Sequence, residues 1–371
     1  MSLRIAGMGW VTPLGRGIDS VWDRLLRGEE AVGQLISDPV SEKTYPAFRV
    51  PDDACELPPH PRLRRVSAIS RFAAAAGLDS LADARSTIGE IDPKRLALIF
   101  AVSNGGVVYT KRFYHNVVAS GAQSASPLLF PETVFNAPAS HLAAILGVTG
   151  TSYTLVGDGA IGVLAVKMAD DLLQNEAFDF CLVVGAEEAD WILCDGYHKW
   201  RLLKSRPPIE LFRDPPRGMI LSEGAGALLL GGKGEVQIDA IDAGENFSRR
   251  QEAKEIVFRV LRNLKDEPAC VVACANGTFV DLAERDAIEK VLPQATIYSP
   301  KPALGESVGA SAMCQIIVAA QALRTKRLPP MLHSDAQTGL NFPTTDTISC
   351  SSAVVSSCGL NQQAAGLRLR I

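Results

Sequence analysis

The stretch YTLVGDGAIGVLAVKMADDLL, Tyr153 to Leu173, reads as an apolar strand that turns sharply at Gly157-Asp158-Gly159 into a helix with one apolar face. Such a turn exposes the side chain at its apex, and the helix N-terminus behind it favours negative charge, so α/β enzymes often place a nucleophile there. No Ser, Cys or Thr stands at this apex. The local shape is that of a nucleophile elbow, and the nucleophile is missing.

Outward from the elbow, strand-like runs alternate with helical patterns. RLALIFAVS (95–103), TSYTLVGD (151–158), FDFCLVVGAEE (178–188) and GAGALLLGG (224–232) read as strands. The segment IGVLAVKMADDLLQN lies between the second and third with apolar residues at helical spacing. A helix between two buried strands predicts a βαβ unit in a layered α/β fold. The order then recurs, with a helix over 251–265, the strand ACVVACANG, a helix over 281–291, the short strand TIYSP, a helix over 307–323, and closing strands near 347–357 and 364–371. Two α/β halves, residues 1–233 and 234–371, fit this order better than one continuous sheet.

Composition excludes several classes. Among the 371 residues, 47% are hydrophobic and 21% charged, an ordinary globular profile with material for a large core. The formal charge of −4 gives no reason to expect nucleic acid. Arg62, Arg64, Arg65 and the pair Lys111-Arg112 form local basic clusters that read first as solvated surface. No window approaches the ~18 unbroken apolar residues of a membrane span, and the N-terminus MSLRIAGMGWVTPLG lacks the features of a secretory leader. A cytoplasmic protein is expected. The eight cysteines are scattered, several inside apolar runs, without zinc-like spacing, so neither metal nor cofactor is expected.

Four further segments give the elbow its context. GMGWVTPLG (7–15), FPETVFNAPASHLAAILGVTG (130–150), LFRDPPRGMILSEGAGALLL (211–230) and KPALGESVGASA (301–312) occur in that order. Together with the elbow they resemble the β-ketoacyl synthases of the thiolase superfamily, over nearly the whole chain. The resemblance implies a thiolase-like five-layered αβαβα fold of two pseudo-equivalent halves, dimerised through the strand before the nucleophile. It does not by itself settle function, which is read from the site.

Laid on the family pattern TVDTACSSSLVA, the segment TLVGDGAIGVLA puts Gly159 at the acyl-accepting Cys. ANGTFV (275–280) puts Asn276 at the first family histidine, and Glu306, five residues after the matching Lys301, takes the place of the second. A hydrogen cannot hold an acyl group, and an ionised Glu306 accepts hydrogen bonds where a developing enolate needs donors. No catalytic position is intact. Lys301 is then open to two uses, an ion pair with Glu306 completed by Asn276, or a place near a hydrated Glu306 in a residual cavity. Asp158 is expected to cap free helix amides. His141 reads as a packing or surface residue. Arg213 stands at a usual Asp, with Pro215-Pro216 following.

The family's glycine-rich gate is replaced by SSCGLNQQA (356–364), with Leu360 at the gate and Asn361 and Gln362 at former glycines, which predicts a stiffer loop.

The resemblance points first to a noncatalytic, chain-length-factor type of subunit. It would pair with an active ketosynthase subunit, or with itself, and meet an acyl carrier protein bearing a phosphopantetheine-linked chain in fatty-acid, polyene or polyketide synthesis. The family's chain-length-factor pattern has a Gln where this chain has Gly159. Residues 104–116 and 126–140, with Phe113, Phe130 and Phe135, are the tunnel and interface candidates. Two other readings remain open: non-covalent thioester chemistry by Asp158, Glu306, Asn276 and Lys301, and a homodimeric acyl-binding scaffold.

Overall fold

The computed structural model describes residues 2–371 except 267–268, 336–337 and 362. Ten strands carry the architecture: β1 (Leu3–Thr12), β2 (Leu96–Val102), β3 (Ser152–Val156), β4 (Phe180–Glu187), β5 (Gly224–Gly231), β6 (Val236–Asn246), β7 (Ala269–Val272), β8 (Thr296–Tyr298), β9 (Ser352–Cys358) and β10 (Gln363–Arg370). In space the first five run β3-β2-β4-β5-β1 and the second five run β8-β7-β9-β10-β6. Numbered within each half, both orders are 3-2-4-5-1. The pairing repeats as well, for β2 is parallel to β3 and β4 while β5 is antiparallel to β4 and β1. Likewise β7 is parallel to β8 and β9, and β10 is antiparallel to β9 and β6.

Eight helices position the site: α1 (Ala68–Ile88), α2 (Val107–Ser120), α3 (Ala137–Leu146), α4 (Ile161–Leu173), α5 (Trp191–Lys199), α6 (Ala253–Asn263), α7 (Phe279–Val291) and α8 (Ser311–Thr325). Helix α1 lies on β1, β4 and β5 with α3 beside it on β2 and β3, α4 and α8 fill the space between the two half-sheets, and α6 packs on β6, β9 and β10 and against α7. These are the five αβαβα layers. The central position explains why α8 is buried on every face from Ser311 to Leu323, a pattern that a surface helix cannot show. Its buried Gln315 is tolerated because the amide donates to the carbonyls of Ser356 at 2.7 Å and Val272 at 3.3 Å. On the outer side, β1 approaches α1 so closely that a Cβ at Gly9 would stand 2.0 Å from the Ala76 carbonyl oxygen. The glycines of GMGW are there for that contact.

One expectation is corrected. The half-sheets are joined, because Leu3–Ile5 of β1 pairs antiparallel with Val236–Ile238 of β6, giving one continuous hydrogen-bonded path. The short turn after Gly231 returns the chain directly beside β1, with Gly234 in the left-handed region at φ 139°. Element ends shift slightly elsewhere: the helix expected over 307–323 opens with a 3₁₀ turn at Val308–Ala310, and the strand expected from 347 begins at Ser352. Among the described residues no helix is long and apolar enough to cross a membrane.

Candidate functional site

The elbow forms where β3 ends. Gly157 donates its N–H to the Val102 carbonyl at 3.0 Å, and Ile161 N–H donates to the Asp158 carbonyl at 2.8 Å, which starts α4. Gly159 is at the apex. A Cβ built there would lie 3.3 Å from the Cys358 carbonyl oxygen and 3.4 Å from Gly359 Cα. The loop after β9 therefore packs against the apex at contact distance, so that a side chain there would press on the Cys358 carbonyl. The Ser357 hydroxyl fastens the loop, donating to the Gly159 carbonyl at 2.9 Å.

Beneath this lid Asn276, Lys301 and Glu306 meet. Lys301 Nζ and Asn276 Nδ2 each donate to Glu306 Oε2 at 2.7 Å. Val308 N–H donates to Oε1 at 2.9 Å, and the Ser311 hydroxyl donates to the same oxygen. All three side chains of the cluster are buried, so the structure holds the ion pair and not a hydrated Glu306. Burial pushes the Glu306 carboxyl up, but Lys301, Asn276 and Ser311 together hold it below the usual carboxylate range. The other end of Asn276 is committed too, its Oδ1 accepting from Thr278 Oγ1 at 2.7 Å and Thr278 N at 3.2 Å. The narrow gap left between this cluster, Gly159, Cys274 and Cys358 is too tight for a water molecule. An anion with four donors and no approach for a substrate is a structural ion, and an ionised carboxylate held low is a poor base.

Asp158 does not cap the helix as expected. The N-cap of α4 is Ala160, without a side-chain bond, and it is the Asp158 carbonyl that serves the first turn. The carboxylate reaches the gate instead: Oδ1 accepts from Gly159 N at 2.6 Å and Oδ2 from Asn361 N at 2.7 Å. Leu360, the gate residue, is buried between the covered apex and an open cleft of about 310 Å3 whose wall also includes Asn104, Ile192, Tyr197 and Trp200. Gln362, expected to stiffen this loop, lies outside the described residues. Arg213 makes an ion pair with Asp335 at 3.1 Å at the surface. His141, on α3, shares a 2.5 Å hydrogen bond with buried Glu132.

The phenylalanines divide. Phe113 on α2 and Phe130 meet at a tilt of 53° with ring centroids 5.8 Å apart, whereas Phe135 covers Gly105. Their surroundings are open: α2 buries none of its residues, and Val118, Leu128, Phe130 and Phe135 are exposed. Beside them β3 is an edge strand with Tyr153 and Val156 exposed.

Several organising residues escaped the sequence reading. Glu187 accepts from Ser103 N and Asn104 N, and Glu188 from Val108 N and Ile69 N, which fixes the loops at both ends of this surface. Asp281 accepts from Asn276 N, Gly277 N and Phe212 N, holding the ANGT turn in place. Burial pushes Glu187 up to about 8 and Glu188 and Asp281 up to about 7, against the pull of these N–H groups. The signal was present as paired acids inside an apolar run, LVVGAEEAD.

Comparison with known proteins agrees with the architecture. The family model for the beta-ketoacyl synthase N-terminal domain matches residues 2–235, and that for the C-terminal domain matches residues 239–335. In sequence the chain is similar to 3-oxoacyl-(acyl-carrier-protein) synthase 2 of Vibrio cholerae, 23% identical over 367 residues that cover 89% of this chain and 88% of the relative. The synthase of the same name from Synechocystis is also 23% identical, over 89% of this chain and 87% of the relative. In structure it is similar to the ishigamide ketosynthase/chain length factor, and to the ketosynthase ApeO in complex with its chain length factor ApeC from Xenorhabdus doucetiae. Each gives a TM-score of 0.85 at 18% identity, covering 100% of this chain and 98% of the other. The chain belongs to the β-ketoacyl synthase family.

Proposed function

We propose that this chain is a noncatalytic ketosynthase-like subunit of the chain-length-factor type, which pairs through β3 and its flanks with an active ketosynthase and helps shape the acyl tunnel. The observation that carries the reading is the covered apex: Gly159 stands where a nucleophile would, and the gate loop lies on it. The exposed edge strand and the apolar surface around α2 supply what a partner would cover. The likeness in fold to ketosynthase and chain length factor pairs supports the same direction.

On this reading an acyl carrier protein delivers the growing chain in fatty-acid, polyene or polyketide synthesis, and the partner's Cys and histidines perform the condensation. Phe113, Phe130 and Phe135 fill tunnel space at the joint surface. Truncating them lengthens the product, because each further buried methylene favours the longer chain by ~0.8 kcal/mol. The test is product analysis of the reconstituted pair with Phe113→Ala, Phe130→Ala and Phe135→Ala. Longer chains are expected, and an unchanged length distribution in all three refutes the tunnel role.

The relatives in sequence are named as synthases, which favours an enzyme as the second reading. Against it stand a Glu306 saturated by donors and an Asn276 engaged at both ends.

A further inference from the structure

The donors beside the elbow come from two distant parts of the chain. Gly159 N belongs to the elbow and Asn361 N to the gate loop, and they bind the two oxygens of one carboxylate at 2.6 and 2.7 Å. Convergent backbone N–H groups of this kind bind an anionic or carbonyl oxygen in many sites, because they need no reorganisation to do so. Here the oxygen acceptor is supplied from within.

Gly359 shows that the arrangement is built. A Cβ at this residue would stand 2.4 Å from Asp158 Oδ2. Its φ lies outside the left-handed region, so the backbone itself does not require glycine there. The missing side chain makes room for the carboxylate. The cleft beside it is lined by Asp158 together with Ile192, Trp200 and Leu360. That combination, a donor pair beside a partly apolar cleft, is the shape of a site for an acyl ligand with an oxygen head.

We infer that Asp158 is an internal plug: its carboxylate fills an oxygen-binding subsite formed by the elbow and the gate loop, and so keeps this chain's own cleft from taking an acyl ligand by its head. Its purpose rests on the noncatalytic reading above, since a subunit that must not be charged leaves the acyl chain to its partner. The plug itself is a property of this chain alone.

The experiment uses the purified full-length chain and decanoate as the probe, followed by tryptophan fluorescence, with hydrogen exchange of the peptides containing Gly159 and Asn361. Two variants open the subsite. Asp158→Ala and Asp158→Gly both remove the carboxylate and leave its space and its donors free. Freeing two hydrogen-bond donors is expected to tighten decanoate binding about tenfold or more over the unaltered chain. Exchange at both peptides is expected to speed up in the variants and slow again with decanoate. If one variant fails to fold, the other decides. A folded variant that binds decanoate no better than the unaltered chain overturns the inference, as does an unaltered chain that binds it equally well. Neither result depends on finding a ketosynthase partner, so failure here and failure of the proposed function are told apart.

Discussion

Glu306 has four donors of its own, and removing one of them is costly. Lys301→Met leaves a buried carboxylate without its cation, which is expected to lower stability by roughly 3–5 kcal/mol, readable as a drop in urea midpoint. Adding Glu306→Leu is expected to recover most of the loss, because an apolar pair of similar volume replaces a pair whose desolvation offset its attraction. A double variant as unstable as the single would show that the cluster acts through something other than this ion pair. Introducing a thiol alone is expected to give nothing: Gly159→Cys adds a side chain against the Cys358 carbonyl, next to a buried Glu306 and Asn276 that are already bonded to each other. Release of carbon dioxide from a malonyl-carrier substrate should stay at background in that variant, and release well above background would mean that the remaining residues suffice. The meeting of Asn276, Lys301 and Glu306 was one of the two uses for Lys301 that the sequence left open, because the three stand at fixed spacing inside segments that otherwise keep their pattern. The contacts of Asp158 were not legible, because its partner Asn361 lies 203 residues away and no local signal connects the two.

The element that carries the proposed function is β3. Its five residues are exposed or half-buried, while the neighbouring β2 is wholly buried, so the edge is finished on one side only. Tyr153→Lys and Val156→Lys place charge in the middle of the surface that a partner strand would cover. Both residues are exposed in this chain, so its own stability should change by no more than about 0.5 kcal/mol while the partner is lost from pull-downs. Retention of the partner by both variants would move the interface elsewhere. The strands and helices themselves were readable from periodicity, since buried strands such as LALIFAV and the amphipathic α4 announce their type locally. The joining of the half-sheets was not readable, because the pairing of Leu3–Ile5 with Val236–Ile238 joins segments over 230 residues apart and neither carries a mark of its partner.

Across the whole molecule, buried carboxylates set the dependence of stability on pH. Glu187, Glu188 and Asp281 are pushed up to about 8, 7 and 7, so the native state keeps protons that the unfolded chain releases near the ordinary carboxylate range. Their contribution is fully present below that range and is lost as pH rises through 7 to 8. Glu306 works in the opposite sense, for its carboxyl is held low, and its contribution is lost as pH falls through its folded value. Melting temperature is therefore expected to peak near the ordinary carboxylate range, at about pH 4–5, and to decline on both sides. A curve that rises steadily to pH 8 would mean that these acids are ionised in the native state. The central claim, that a ketosynthase scaffold with a covered apex serves an active partner, is tested most directly by co-purifying the tagged chain from its native host. Size exclusion and mass spectrometry would then identify what stays bound. The account predicts a stoichiometric ketosynthase that carries the cysteine and both histidines. A homodimer or monomer with no such subunit would contradict it.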